Sequence, residues 1–238
     1  MKIGIIGAGN IGSTLAEKLT NQGYTVYIAN SRGPETLKDV AERTGAAPVT
    51  AKEAAANGEI VIVSIPQNNI SKLPKDLFEG VADSVIVIDT GNYYPHLRDG
   101  VIPELEGDIT ESEWVQQHLG RPVTKVFNSI TYYSLKNAGK PKGEANRIGL
   151  PVAGNDEKQK HVVMQLVDDL GFDPVDAGTL HDSWKQQPGT PVYCTDLSAD
   201  EIKSHFERLG NDWASQRETI IANRHAREEA LLEKFKGK

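Results

Sequence analysis

The chain has 238 residues, of which 38% are hydrophobic and 25% charged, with a formal net charge of −7. That length buries one sizeable core plus a small appendage, and the acidic balance, with lysines and arginines scattered rather than striped, argues against a nucleic-acid partner. A single cysteine, Cys194, excludes an internal disulfide framework and suits a reducing cytoplasm, and six dispersed histidines show no metal-ligand spacing, so no metal is expected.

Lys2 to Ile6 read as a buried strand that runs straight into Gly7-Ala8-Gly9-Asn10-Ile11-Gly12, after which Leu15, Ala16 and Leu19 keep helical spacing. A G-x-G-x-x-G between strand and helix is the context in which a dinucleotide is bound. Gly7 permits the tight turn, Gly9 lets backbone approach a pyrophosphate, and Gly12 lets the helix pack on the strand. The first helical turn, through Asn10 and Ile11, then offers unpaired N–H groups to the phosphates.

Residues 24–29 form the second strand, whose tip is Asn30, Ser31, Arg32, Gly33 and Pro34. An NAD-selective tip ends on a carboxylate; here a hydroxyl and a guanidinium stand in its place. Arg32 is suited to grip a 2′-phosphate by charge-assisted bonds, with Ser31 as a neutral donor, which reads as NADP(H) over NAD(H). Asn30 is left to hold the turn or the ribose, and Pro34 opens a helix over 35–43.

A short strand at 47–49 follows, then an alanine-rich helix capped by Thr50 and running to Asn57. Strands are expected at 59–64 and 84–89, joined by a crossover at 71–81 that Pro74 breaks. A helix at 111–119 precedes a strand at 124–128, and strands at 148–153 and 173–176 flank a helix over 157–170. From Ser198 onward the pattern is helical, with an apolar stripe through Ile202, Phe206, Trp213, Ile220 and Ile221. No apolar run has the length of a membrane span, and no charged-then-apolar leader precedes the first strand.

This alternation predicts an α/β, Rossmann-type doubly wound fold with a mostly parallel sheet and a small C-terminal helical appendage. The boundary falls near Gly178: an NADP-binding domain over 1–178 and a helical region over 179–238 that completes the substrate pocket. On so short an appendage, part of the apolar stripe is expected to bury against a second copy, giving a homodimer.

In such a sheet ligands lie beyond the carboxyl ends of the strands. The residues there are Ser64, Ile65 and Pro66 beside the pyrophosphate or ribose, Thr90, Gly91 and Asn92 near the nicotinamide, and Asn128 and Ser129 toward its carboxamide or a substrate carbonyl. Tyr93, Tyr94, His96, Tyr132 and Tyr133 either stack on a planar acceptor or are ordinary core and interface groups. The stretch from Trp184 to Pro191 reads as a polar, proline-stiffened lid, with His181 beside it. No triad or carboxylate pair is present, and no catalytic acid or base is assigned.

With these residues in place, the chain resembles the F420-dependent NADP oxidoreductases over most of its length, to about residue 180. The resemblance rests on Ile-Gly-x-x-Gly-Ala-Gly-Asn-Ile-Gly from Ile3, on Ser31 and Arg32, on Lys125-Val126-Phe127-Asn128-Ser129-Ile130, and on Pro151-Val152-Ala153-Gly154-Asn155-Asp156. Val162-Val163-Met164 and Val175-Asp176-Ala177-Gly178 fit as well. It implies direct hydride transfer between NADP(H) and a planar acceptor such as coenzyme F420 or a flavin, which needs alignment and water exclusion more than an acid or base. A similar domain occurs in membrane ferric reductases. The chain departs from the archaeal F420 reductases after Gly178, where His181 to Gln187 are polar. The expectation is therefore a cytoplasmic NADPH-dependent oxidoreductase with a small-molecule acceptor. Reduction of a small carbonyl, imine or quinone, or a non-catalytic NADP(H) sensor, are the alternatives.

Overall fold

The computed structural model describes residues 1–236. Its first strand, β1 (Lys2–Ile6), lies between β2 (Thr25–Ala29) and β4 (Ile60–Val63) and pairs parallel with both. A strand covered on both faces reads as an unbroken apolar run, and Ile3, Ile5 and Ile6 are all buried. Around it, β3 (Ala47–Pro48), β5 (Ile86–Asp89) and β6 (Thr124–Lys125) complete a six-stranded parallel sheet in the order β3-β2-β1-β4-β5-β6. The helices α1 (Asn10–Asn21), α2 (Lys38–Thr44), α3 (Ala51–Asn57), α4 (Glu111–Leu119) and α5 (Tyr132–Asn137) connect and flank it. This is a Rossmann-type sheet, as the alternation implied. Thr50 with Glu53, and Thr110 with Glu113, form the reciprocal hydrogen bonds that fix the starts of α3 and α4.

The late strands depart from the expected single sheet. β7 (Gly149–Val152) and β8 (Asp173–Asp176), joined through α6 (Glu157–Asp169), pair parallel with each other as a separate two-stranded sheet. Pro151 and Pro174 sit inside these strands, and a residue without an N–H is confined to edges. Among the described residues the backbone link to the main sheet is a reciprocal antiparallel bridge between Lys125 and Ala153, and Leu150 and Val152 of β7 share the buried core with Ile3 and Ile5 of β1. The strand expected to reach Asn128 stops at Lys125, because Phe127 takes a left-handed backbone with φ of 62°.

After Gly178 the chain packs back onto the body. A single 3-10 turn (His181–Gln186) leads to α7 (Ala199–Leu209) and, past Gly210, to α8 (Trp213–Lys236). Ser198 and Glu201 form the capping box of α7. Most of the apolar stripe of this tail packs within the chain: Ile202 buries against Val175 and Val192 with Phe206 partly covered beside them, Trp213 and Ile220 bury against Trp184, and Ile221 is half-buried. The stretch expected to be a lid is instead a wedge, with Ser183, Trp184, Lys185, Gln186 and Gln187 all buried. Trp184 stacks at 5.6 Å from Trp213, so desolvated aromatic area outweighs the polarity of its neighbours.

Candidate functional site

A cleft of about 810 Å³ opens at the carboxyl edge where β1 and β4 part, the point at which the strand order reverses. It has the size of a cofactor pocket and the place expected for one. Of the residues singled out from the sequence, Gly7, Gly9, Asn30, Ser31, Arg32, Ser64, Ile65 and Pro66 line it, whereas Asn10 and Ile11 are not among its lining residues. Asn69 and Lys72 also reach it from a 3-10 turn (Gln67–Lys72), together with Leu73 and Pro74. Sequence reading missed these two polar residues because they lie in a crossover with no strand end to mark it.

Each glycine of the turn has a separate reason. Gly7 has φ of 120°, and a Cβ there would stand 2.0 Å from the Ser64 carbonyl oxygen. A Cβ on Gly12 would stand 1.9 Å from the Gly7 carbonyl oxygen, so this residue sets how closely α1 approaches β1 and does not line the cleft. Gly9 is different: nothing lies within 4 Å of a Cβ built on it, so the space above it is open to a ligand. α1 begins there with no side-chain cap and no acidic residue in its first turn, where Asn10 and Ile11 stand. Unpaired N–H groups and the positive helix end therefore face the cleft.

At the other end the Asn30 carboxamide oxygen accepts from the Arg32 backbone N–H at 2.9 Å, and its Nδ2 donates to Thr36 Oγ1 at 2.9 Å. Asn30 thus holds the turn, leaving the exposed Ser31 and Arg32 side chains for a ligand. Among the cleft-lining residues there is no carboxylate, and the cations are Arg32 and Lys72. This donor set suits a dinucleotide carrying an extra phosphate.

Thr90, Gly91, Asn92, Asn128 and Ser129 lie outside that cleft, farther along the same sheet edge past β5 and β6. Their polar groups are largely engaged with the protein. Asn128 Nδ2 donates to Asn92 Oδ1 at 3.1 Å and to the Gln186 carbonyl at 2.8 Å, while its Oδ1 accepts from Gln186 Nε2 at 2.8 Å. The Ser129 carbonyl accepts from the Cys194 N–H, and the Thr90 N–H donates to the Val63 carbonyl. These residues build the wall next to the cleft, and the wedge at Gln186 locks it.

Under that wall lies a buried ionic group that the sequence did not reveal. Lys125 Nζ donates to Asp89 Oδ2 at 2.9 Å and to the Gly91 carbonyl at 2.6 Å. Ser112 Oγ donates to Asp89 Oδ2 at 2.7 Å, and the Gly91 N–H donates to Asp89 Oδ1 at 2.7 Å. Beside them Glu111 accepts from the Tyr93 N–H at 3.2 Å. Burial pushes the Glu111 carboxyl up to about 7 against the opposing pull of Lys125 and Arg224.

Glu111 thus holds its proton in the folded chain to higher pH than in the unfolded one. Its contribution to stability is full below about 4.5, its ordinary value, and is lost as pH rises to about 7. Glu111→Gln is expected to flatten the stability profile across that window, read as melting temperature against pH. An unchanged slope would show that the carboxyl does not titrate there.

Of the aromatic candidates, Tyr93 is fully buried, whereas Tyr132 and Tyr133 are exposed on α5. The Tyr94 and Tyr193 hydroxyls are hydrogen-bonded to each other, and desolvation pushes Tyr94 up to about 12. Half-exposed His181 pairs with Glu113, its Nδ1 3.1 Å from Oε1. Sequence spacing gave no metal cluster, yet the fold brings His96, His225 and Glu228 together with ligand atoms within 4.8 Å of one another.

Residues 2–93 match the family described as NADP oxidoreductase coenzyme F420-dependent. A hypothetical protein of known structure from Sinorhizobium meliloti is 34% identical, with 83% of this chain and 96% of that one aligned at a TM-score of 0.69. A candidate F420-dependent NADP reductase from an Arthrobacter species superposes over 90% of this chain and 94% of its own, at 21% identity and a TM-score of 0.62, which shows a shared fold. The Metalloreductase STEAP3 of Rattus norvegicus is 29% identical over 181 residues, 75% of this chain but 34% of that protein. The chain spans less than half the length of the curated relatives it matches. Among the described residues no helix is long and apolar enough to cross a membrane.

Proposed function

Residues 2–93 match the F420-dependent NADP oxidoreductases, and from that premise we propose that the chain is a member of that family and uses NADPH to reduce a planar small-molecule acceptor, coenzyme F420 or a flavin. The observation that carries this reading is the carboxylate-free cleft, with an uncapped helix start at Gly9 and an exposed guanidinium at Arg32. When bound, the nicotinamide supplies a hydride, two electrons and one hydrogen nucleus, and the acceptor takes it up with a proton from solvent.

In this reading Gly7, Gly9, Asn10 and Ile11 seat the pyrophosphate, and Gly12 sets the height of α1 beneath it. Ser31 and Arg32 hold the 2′-phosphate, with Asn30 shaping their loop. Ser64, Ile65 and Pro66 flank the ribose. Thr90, Gly91, Asn92, Asn128 and Ser129 form the rigid wall on the acceptor side, and residues 179–238 complete it through Gln186. Rigidity there serves a reaction that needs alignment more than proton transfer.

Mixing protein and NADPH with F420, and separately with FMN, while following the acceptor spectra tests the proposal. Rapid bleaching with NADPH and slow bleaching with NADH is the expected result. Tight NADPH binding without turnover of either acceptor would sink it and favour a sensor. Arg32→Ala is expected to raise KM for NADPH by about 10- to 100-fold, the worth of a charged hydrogen bond of about 1.5–3 kcal/mol. The same change should leave KM for NADH within about threefold. Equal effects on both cofactors would remove the 2′-phosphate assignment.

A further inference from the structure

We propose that His96, His225 and Glu228 form a binding site for a divalent first-row metal ion, zinc by preference, which staples the C-terminal helix to the loop after Asn92. His96 lies in a single turn of π-type helix (Pro95–Asp99), and His225 and Glu228 stand three residues apart on α8. Residues three apart share a helix face, so the two elements present one three-ligand set. Its ligand atoms lie within 4.8 Å of one another, and the imidazole centroids are 4.5 Å apart at 72°.

The Glu228 carboxylate supplies the independent argument. It is fully buried, and its Oε1 accepts from the backbone N–H groups of His96 and Leu97, both at 3.0 Å. Those two bonds fix the carboxylate and leave Oε2 buried with no hydrogen-bond partner. An anionic oxygen held dry and unpaired is costly, and a cation between it and the two imidazoles removes that cost. Arg224, one turn earlier on α8, turns its NH2 to Glu106 at 3.0 Å and to His225 Nε2 at 3.3 Å and stands over the Tyr93 ring, while its Nε is buried without a partner; among the described residues no hydrogen bond or ion pair joins it to Glu228.

Two imidazoles and one carboxylate select zinc and its neighbours over magnesium or calcium. A tetrahedral zinc with bonds of about 2.1 Å holds its ligand atoms roughly 3.4 Å apart. The ligand atoms must therefore contract from the observed spacing, and His96, the exposed member of the set, is the one with room to move. The fourth position is left to water.

The test uses the full chain without an affinity tag, stripped with a chelator and titrated with zinc or cobalt(II) ions alone. One zinc per chain is expected by calorimetry, with a rise in melting temperature of about 5 °C or more at roughly a hundredfold excess over Kd. Cobalt should show the intense visible bands of a low-coordinate site. His96→Ala, on the exposed loop, and Glu228→Gln, which keeps an oxygen for the two N–H groups, should each weaken zinc binding at least about tenfold and dim the cobalt bands. Absence of stoichiometric zinc in the wild-type chain would overturn the proposal. So would unchanged zinc affinity in both variants.

Discussion

Lys125→Met is expected to cost the fold about 3–5 kcal/mol, because it leaves the Asp89 carboxylate buried beside a methyl group with its charge uncompensated. The side chains of the pair are 0% and 1% exposed, so water cannot take the place of the ammonium. For a chain of this size the loss corresponds to a fall in melting temperature of about 10 °C. Combining it with Asp89→Asn should recover most of the stability, since the orphaned charge goes as well. A single variant that melts with the wild type would show that the ion pair carries none of the stability of this edge. Under the proposed function turnover should fall too: Lys125 also holds the Gly91 carbonyl, and with it the wall assigned there to the acceptor side.

Gly7→Ala should lose NADPH binding by about a hundredfold or more and melt lower as well. Any L side chain at φ of 120° is strained, a cost of about 1–3 kcal/mol. The added methyl would also meet the Ser64 carbonyl carbon and oxygen at 2.6 and 2.0 Å. Both are backbone atoms at the end of β4, so relief requires moving the strand or unwinding the turn, and the start of α1 moves with it. Quenching of tryptophan fluorescence by NADPH reads the affinity, and a thermal melt reads the fold. Gly9→Ala is the informative partner, since its methyl enters open space. It should spare the melt while weakening NADPH. If Gly7→Ala binds NADPH as the wild type does, the turn does not set the cofactor site.

The cleft at the β1 and β4 edge was legible because its signals are local. Gly7 and Gly12 are dictated by contacts within one strand-turn-helix unit, and Ser31 and Arg32 follow a strand end that the alternation locates. The wall was less so. Asn128 was placed by its position after a strand, but whether its amide faces a ligand depends on Gln186, 58 residues away. The stretch around Trp184 looked like a lid because its composition is polar, and it became a wedge because Trp213 and Ile220 came to meet it.

What the sequence determined by itself was the parallel β/α frame, its glycine turn, the Thr50 cap and the cationic tip at Arg32. Each of these rests on backbone geometry and on side-chain periods of two or 3.6 residues, which are written within about a dozen positions. Tertiary structure alone decided the separation of β7 and β8 from the main sheet. It also decided the buried group of Asp89, Lys125 and Glu111, and the meeting of His96 with His225 and Glu228. Those arrangements join residues far apart in the chain through desolvation and charge pairing, and such forces leave no period in the sequence because they act only once distant segments have excluded the water between them.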